Sequence, residues 1–176
     1  MITFSCYKHV ELSYFLLGHL NQGQSNVSLL NNSMTSETWI SSLTSAYKKS
    51  PRRMELQWLA LKADSIETFL SLLPDSELGH AFGRAVDAVY AKWQEQWGHS
   101  GYQRIQSMNA ARENLLPRLN LLRNALWEGN PPNLELIHSP ALTGRGRALW
   151  LDNTRRIALD LSQPADDLLV QILHEE

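Results

Sequence analysis

The chain has 176 residues, of which 43% are hydrophobic and 19% charged, with a formal net charge of −2. That length is enough to bury one ordinary core, and the near-neutral balance gives no general attraction for nucleic acid or an anionic membrane, so either would need a local patch. The single cysteine, Cys6, excludes an internal disulfide and suits a reducing, cytoplasmic setting better than a disulfide-stapled secreted one.

In chain order, the apolar run from His9 to Leu20 is interrupted by Glu11 and is too short to cross a bilayer. The Asn/Gln/Ser-rich stretch Asn21 to Ser33 lacks the form of a signal-peptide cleavage site. Residues 1–33 therefore read as an N-terminal helix with a polar loop or disordered linker, and residues 34–176 as a single helical domain. Ser36 is placed to cap a helix through about Lys49, with Trp39, Ile40, Leu43 and Tyr47 on one side. Ser50-Pro51 starts another, carrying Met54, Leu56, Trp58, Leu59 and Leu61, and Asp64 or Ser65 restarts it toward Leu73. Pro74 ends that segment. Asp75 or Ser76 then caps a helix in which Leu78, Phe82, Ala85, Val89, Trp93 and Trp97 recur at helical spacing until Gly98, a pattern that reads as core packing rather than a ligand box.

A long helix follows from about Tyr102 to Trp127, with Ile105, Met108, Leu115, Leu119, Leu122 and Leu126 inward and Pro117 expected to kink it. Gly129 and Pro131-Pro132 stop helix, and Leu134 to Ile137 reads as a first strand. SPALTGRG, residues 139–146, reads as a loop: it lacks the ending of a phosphate-binding loop and the spacing of a dinucleotide fingerprint. Arg147 to Leu151 and Arg156 to Leu161 alternate in character about Asp152-Asn153, which tolerate a tight turn, so they predict a β-hairpin. Ser162, Pro164, Asp166 and Asp167 then form a helix start, with Leu168, Leu169, Ile172 and Leu173 as one buried stripe leading into His174-Glu175. The fold class expected is mainly α (α+β): a helical bundle with a small C-terminal hairpin or sheet and a terminal helix.

A hairpin, a capped amphipathic helix and then His-Glu on that helix resembles the zincin superfamily of metallopeptidases, over residues Gly146 to Glu176. In the family motif H-E-x-x-H, two histidines one turn apart grip zinc while the intervening Glu activates a water. The resemblance implies that His174 matches the first zinc ligand and Glu175 the general base, with the hairpin as the strands lining a cleft and the last of them, Arg156 to Leu161, able to pair with an extended protein or peptide substrate. Position 178, where the second His would lie, falls beyond Glu176, so the zinc site of this chain is expected to be incomplete and the chain inactive as it stands. His9, His19, His80, His99 and His138 are scattered without ligand spacing and read as surface or locally bonded side chains.

Two function classes follow. One is a zinc metallopeptidase-like protein or fragment. The alternative is a non-enzymatic helical protein-binding or regulatory module that uses exposed aromatics or the cluster Lys48, Lys49, Arg52 and Arg53, which straddles a helix junction, is read as having no nearby acid, and reads as a solvated helix end rather than a nucleic-acid contact. An uncovered apolar stripe on the terminal helix would also favour self-association. No Gly-x-Ser-x-Gly elbow positions a serine nucleophile.

Overall fold

The computed structural model describes residues 1–20, 38–126, 129–142 and 144–174. The expected linker at Asn21 to Ser33, the Ser36 cap and Glu175 lie outside the described residues. Strand β1 (Ile2–Ser5) pairs in parallel with β2 (Asn133–His138), with Ile2 opposite Leu134 and Ser5 opposite Ile137. The predicted hairpin is present as β3 (Arg147–Leu151) antiparallel to β4 (Thr154–Leu159), with Leu149 opposite Arg156, and Asp152 takes the left-handed turn conformation at φ 52°. β4 also runs parallel to β2, giving the order β1-β2-β4-β3. The last hairpin strand, expected to pair with an extended substrate, is thus paired on both sides, and the hairpin's outer strand in the sheet is β3.

The chain divides into two compact units, Met1–Tyr7 with Gly101–Glu176, and Lys8–Ser100. This differs from the division expected from sequence, a 1–33 extension before one domain from residue 34. β1 belongs with the C-terminal sheet, and a boundary falls between two long helices at Ser100 and Gly101.

In the sheet-bearing unit, one face presents Ile2, Phe4, Leu136, Ala148, Ile157 and Leu159. Against it lie Ala111, Leu115 and Leu119 of α6 (Gly101–Leu126) and Leu168 and Ile172 of α7 (Ala165–His174). Two of the expected inward residues point elsewhere. Ile105 is 55% exposed because the inward line of α6 at that level passes through buried Arg104, and then Met108, Ala111 and Leu115. Leu173 is 40% exposed because the buried line of α7 is Leu168, Gln171 and Ile172, one position away from the stripe expected.

The helical unit holds α1 (Lys8–Gly18), α2 (Thr38–Lys49), a 3-10 turn at Arg53–Glu55, α3 (Leu56–Lys62), α4 (Ile66–Ser71) and α5 (Ser76–His99). Ser65 Oγ accepts from Thr68 N–H at 3.0 Å, and Asp75 Oδ1 accepts from Leu78 N–H at 2.8 Å, so both predicted starts are true N-caps. Leu12, Leu16, Leu43, Leu56, Leu61, Phe69, Leu78 and Phe82 are fully buried. Met54 and Trp58, expected on a buried side, are 57% and 39% exposed. The outcome is the mainly α (α+β) class, and among the described residues no helix is long and apolar enough to cross a membrane.

Candidate functional site

α7 is anchored at both ends of its first turns. Pro164 O accepts from Leu168 N–H at 3.1 Å, and Leu168 and Ile172 sink into the core. Ser162 does not cap it: its hydroxyl donates to Asp160 Oδ1 at 2.6 Å and its N–H to the same atom at 3.1 Å, a local turn that ends β4. The helix instead starts three residues later.

This anchoring delivers His174 to one wall of a cleft of about 280 Å³, which it lines with Val170 and Gln171 on the helix side and Gly144, Arg145 and Gly146 on the other. Those three loop residues feed directly into β3, one of the sheet's two edge strands. Gly144 sits at φ 79°, a left-handed conformation that favours glycine, and a Cβ on Gly146 would lie 3.2 Å from Ala158 O. The loop therefore lies tight against β4 and bends toward the helix. Gln171 is buried; its Nε2 donates to Gln163 Oε1 at 2.8 Å, while its Oε1 has no partner.

None of the other histidines is among the residues that line this cleft; His9, His19 and His138 have local contacts, and His80 and His99 are exposed. His9 Nε2 donates to Ala63 O at 2.9 Å, and His19 lies edge-on between Phe15 and Trp39 at ring distances of 4.8 and 5.6 Å. His80 and His99 are exposed on α5. His138, buried in β2, accepts the Leu161 N–H on Nδ1. Among the described residues no group of three or more His, Cys, Asp or Glu could hold a metal. His174 thus contributes one imidazole, Glu175 lies outside the described residues, and the described donors do not make the three-ligand set that a catalytic zinc requires.

A polar cluster on the other face of the sheet was not anticipated from sequence. Glu135 Oε2 accepts from Arg156 Nε at 2.8 Å, and its Oε1 accepts from Ser5 Oγ at 3.1 Å and from the Tyr7 hydroxyl. Burial and the Glu135 carboxylate raise the Tyr7 phenol above its ordinary pKa. The alternation in Asn133–His138 and Thr154–Leu159 could have put Glu135 and Arg156 each on a polar face, but their pairing needs the strand register. The cluster binds β1 into the sheet.

The basic cluster is also corrected. Lys49 Nζ lies 3.2 Å from Glu77 Oε1, and Arg52 grips both oxygens of Glu55 at 2.7 and 2.6 Å. The cluster therefore does have acids at hand, Glu77 from the first turn of α5 and Glu55 only three residues after Arg52, contrary to the expectation of none nearby.

Comparison of the chain with family models, curated proteins and solved structures returns no match.

Proposed function

We propose that α7 and the β3 edge form one half of a zinc-peptidase-type site. In this reading His174 supplies one zinc ligand, Glu175 is the general base, and the outer edge of β3 takes an extended peptide by strand addition. The observation that supports it is the position of His174 in the cleft beside Gly144–Gly146, the segment leading into the edge strand, rather than on a convex helix end. Zinc in a complete site would supply a water made acidic enough to attack a peptide carbonyl. This chain's own residues do the positioning: Leu168 and Ile172 fix the helix, and the Gly146 contact fixes the opposing loop. In this reading the described residues supply one of the ligands that such a zinc site needs.

A second reading, a non-enzymatic interaction module, draws on the apolar groups left open around the same region: Trp150 at 51% exposure and Val170 at 54%. Zinc content by elemental analysis and zinc affinity by calorimetry separate the two. They are measured on this chain and on one continued through whatever its gene encodes after Glu176. The peptidase reading expects stoichiometric zinc in the continued chain, lost in His174→Ala. Absence of zinc from both chains sinks it and leaves the interaction module.

A further inference from the structure

Gln171 brings to the wall of the His174 cleft a buried side-chain oxygen with no partner. The residue is 9% exposed, it lines the cleft together with His174, and its Oε1 accepts no hydrogen bond. A buried acceptor left unsatisfied is costly, so the position asks for a donor. The orientation of the carboxamide is set from behind. Its Nε2 donates to Gln163 Oε1 at 2.8 Å, and Gln163 is held in the turn after β4, where its own N–H donates to Asp160 O at 3.2 Å. With the amide nitrogen committed to that turn, the oxygen is the end left for another group.

His174 follows Gln171 by three residues on α7, and side chains three apart on a helix are neighbours on one face. Helical side chains also lean back toward the helix N-terminus, which lays the His174 ring over the turn that holds Gln171. His174 is exposed, so packing does not block rotation about its side-chain bonds. Of its two ring nitrogens, Nδ1 is nearer the backbone and is the one that meets the preceding turn. Nε2, on the far side of the ring, then points away from the helix.

We propose that Gln171 is the positioning residue for His174: its Oε1 accepts the ring's Nδ1–H, which fixes the neutral imidazole in the Nδ1–H form and turns the Nε2 lone pair toward the cleft wall at Gly144–Gly146. The bond forms by rotation of the ring onto an oxygen that is open in the structure. A histidine that binds through one nitrogen is commonly fixed by what its other nitrogen donates to, and Gln163 and Gln171 carry that constraint from the turn after β4 into the cleft. An Nε2 lone pair directed this way suits a metal ion or the acidic hydrogen of a ligand. That it meets zinc rests on the peptidase reading; the orientation of the ring does not.

Long-range proton–nitrogen NMR reads the position of the ring proton, on the whole metal-free chain with 15N-labelled histidine, at pH about 8.5, well above an ordinary histidine pKa. The His174 signals are those lost in His174→Ala. An unconstrained imidazole carries its proton mostly on Nε2, so a majority of Nδ1–H in the wild type is the expected result. Gln171→Leu, which fills the space but offers no acceptor, is expected to return His174 to an Nε2–H majority. Gln171→Glu keeps an oxygen at the same reach and is expected to preserve Nδ1–H. A role for Gln171 in packing alone would leave the ring proton where it is in both variants, and backbone amide spectra show whether each variant keeps its fold. An Nε2–H majority in the wild type overturns the proposal without any variant, and so does an Nδ1–H majority that survives Gln171→Leu. No readout involves zinc or hydrolysis, so the positioning role and the peptidase reading fail separately.

Discussion

The backbone N–H of Leu161 donates to Nδ1 of His138 at 3.1 Å, which leaves the proton of the neutral ring on Nε2 and ties the end of β2 to the turn after β4. Burial lowers the His138 pKa from 6.5 to about 4, with Asp160 acting upward and Arg104 downward. Between these two values the unfolded chain holds a proton on this ring and the folded chain does not. The unfolded state therefore binds more protons, and stability falls as pH drops from 6.5 toward 4. The loss attributable to His138 is about 3 kcal/mol across that window. Urea unfolding at a series of pH values should show this slope, and His138→Asn, whose Oδ1 can still accept from Leu161, should flatten it. An unchanged slope in the variant would assign the pH dependence to other groups.

Glu135 is the acid on which β1 depends. Its two oxygens serve Arg156, Ser5 and Tyr7, and both it and its main partner are largely shielded from water. Glu135→Ala takes the carboxylate away from the Arg156 guanidinium and removes both hydroxyl contacts, an expected loss of about 3 kcal/mol. Tyr7→Phe removes the hydroxyl's hydrogen bond to Glu135 and should cost about 1 kcal/mol. Denaturant midpoints give the two values, and near-equal losses would mean that the ion pair carries little of the cluster's worth.

What the sequence made legible was local. The β3–β4 hairpin was readable because Asp152-Asn153 marks the turn within five residues of both strands, and α4 and α5 because Ser65 and Asp75 cap three residues ahead of the N–H they accept. β1 was not readable. Four residues of modest alternation give a weak signal, and their partner Leu134 to Ile137 lies at the far end of the chain. The unit boundary was hidden for a related reason, since helical periodicity in α5 and α6 reports which face is apolar but not which neighbour covers it. For the candidate site, His174 was readable from its helix, but the Gly144–Gly146 wall was not, because its approach to α7 depends on how the sheet packs on the helix.

The caps offer a direct measure of the helical unit. Asp75→Ala and Ser65→Ala each orphan one first-turn N–H, at Leu78 and Thr68, and each should cost about 1 kcal/mol. Asp75→Asn retains an acceptor and should cost much less. If Asn proves as damaging as Ala, the stabilisation comes from the charge at the α5 N-terminus rather than from the hydrogen bond.

Gly146 couples stability to the candidate cleft. A Cβ there would stand 3.2 Å from the carbonyl oxygen of Ala158, 3.6 Å from the Ile157 side chain and 3.7 Å from that of Leu159. The oxygen belongs to β4, which is paired on both sides by β2 and β3, so it cannot move aside without straining the ladder. Gly146→Ala must therefore shift the loop rather than the strand, and the loop is the wall facing His174. A loss of about 1 kcal/mol in stability is expected, set by the cost of overpacking. Gly144→Ala, with open space around it but φ 79°, should cost a similar amount through backbone strain alone. The NMR shift of the His174 ring distinguishes the two: it should move with Gly146→Ala, where the wall is displaced, and respond less to Gly144→Ala. Equal responses would mean that the loop moves as a unit and that the Gly146 contact does not hold the wall in place.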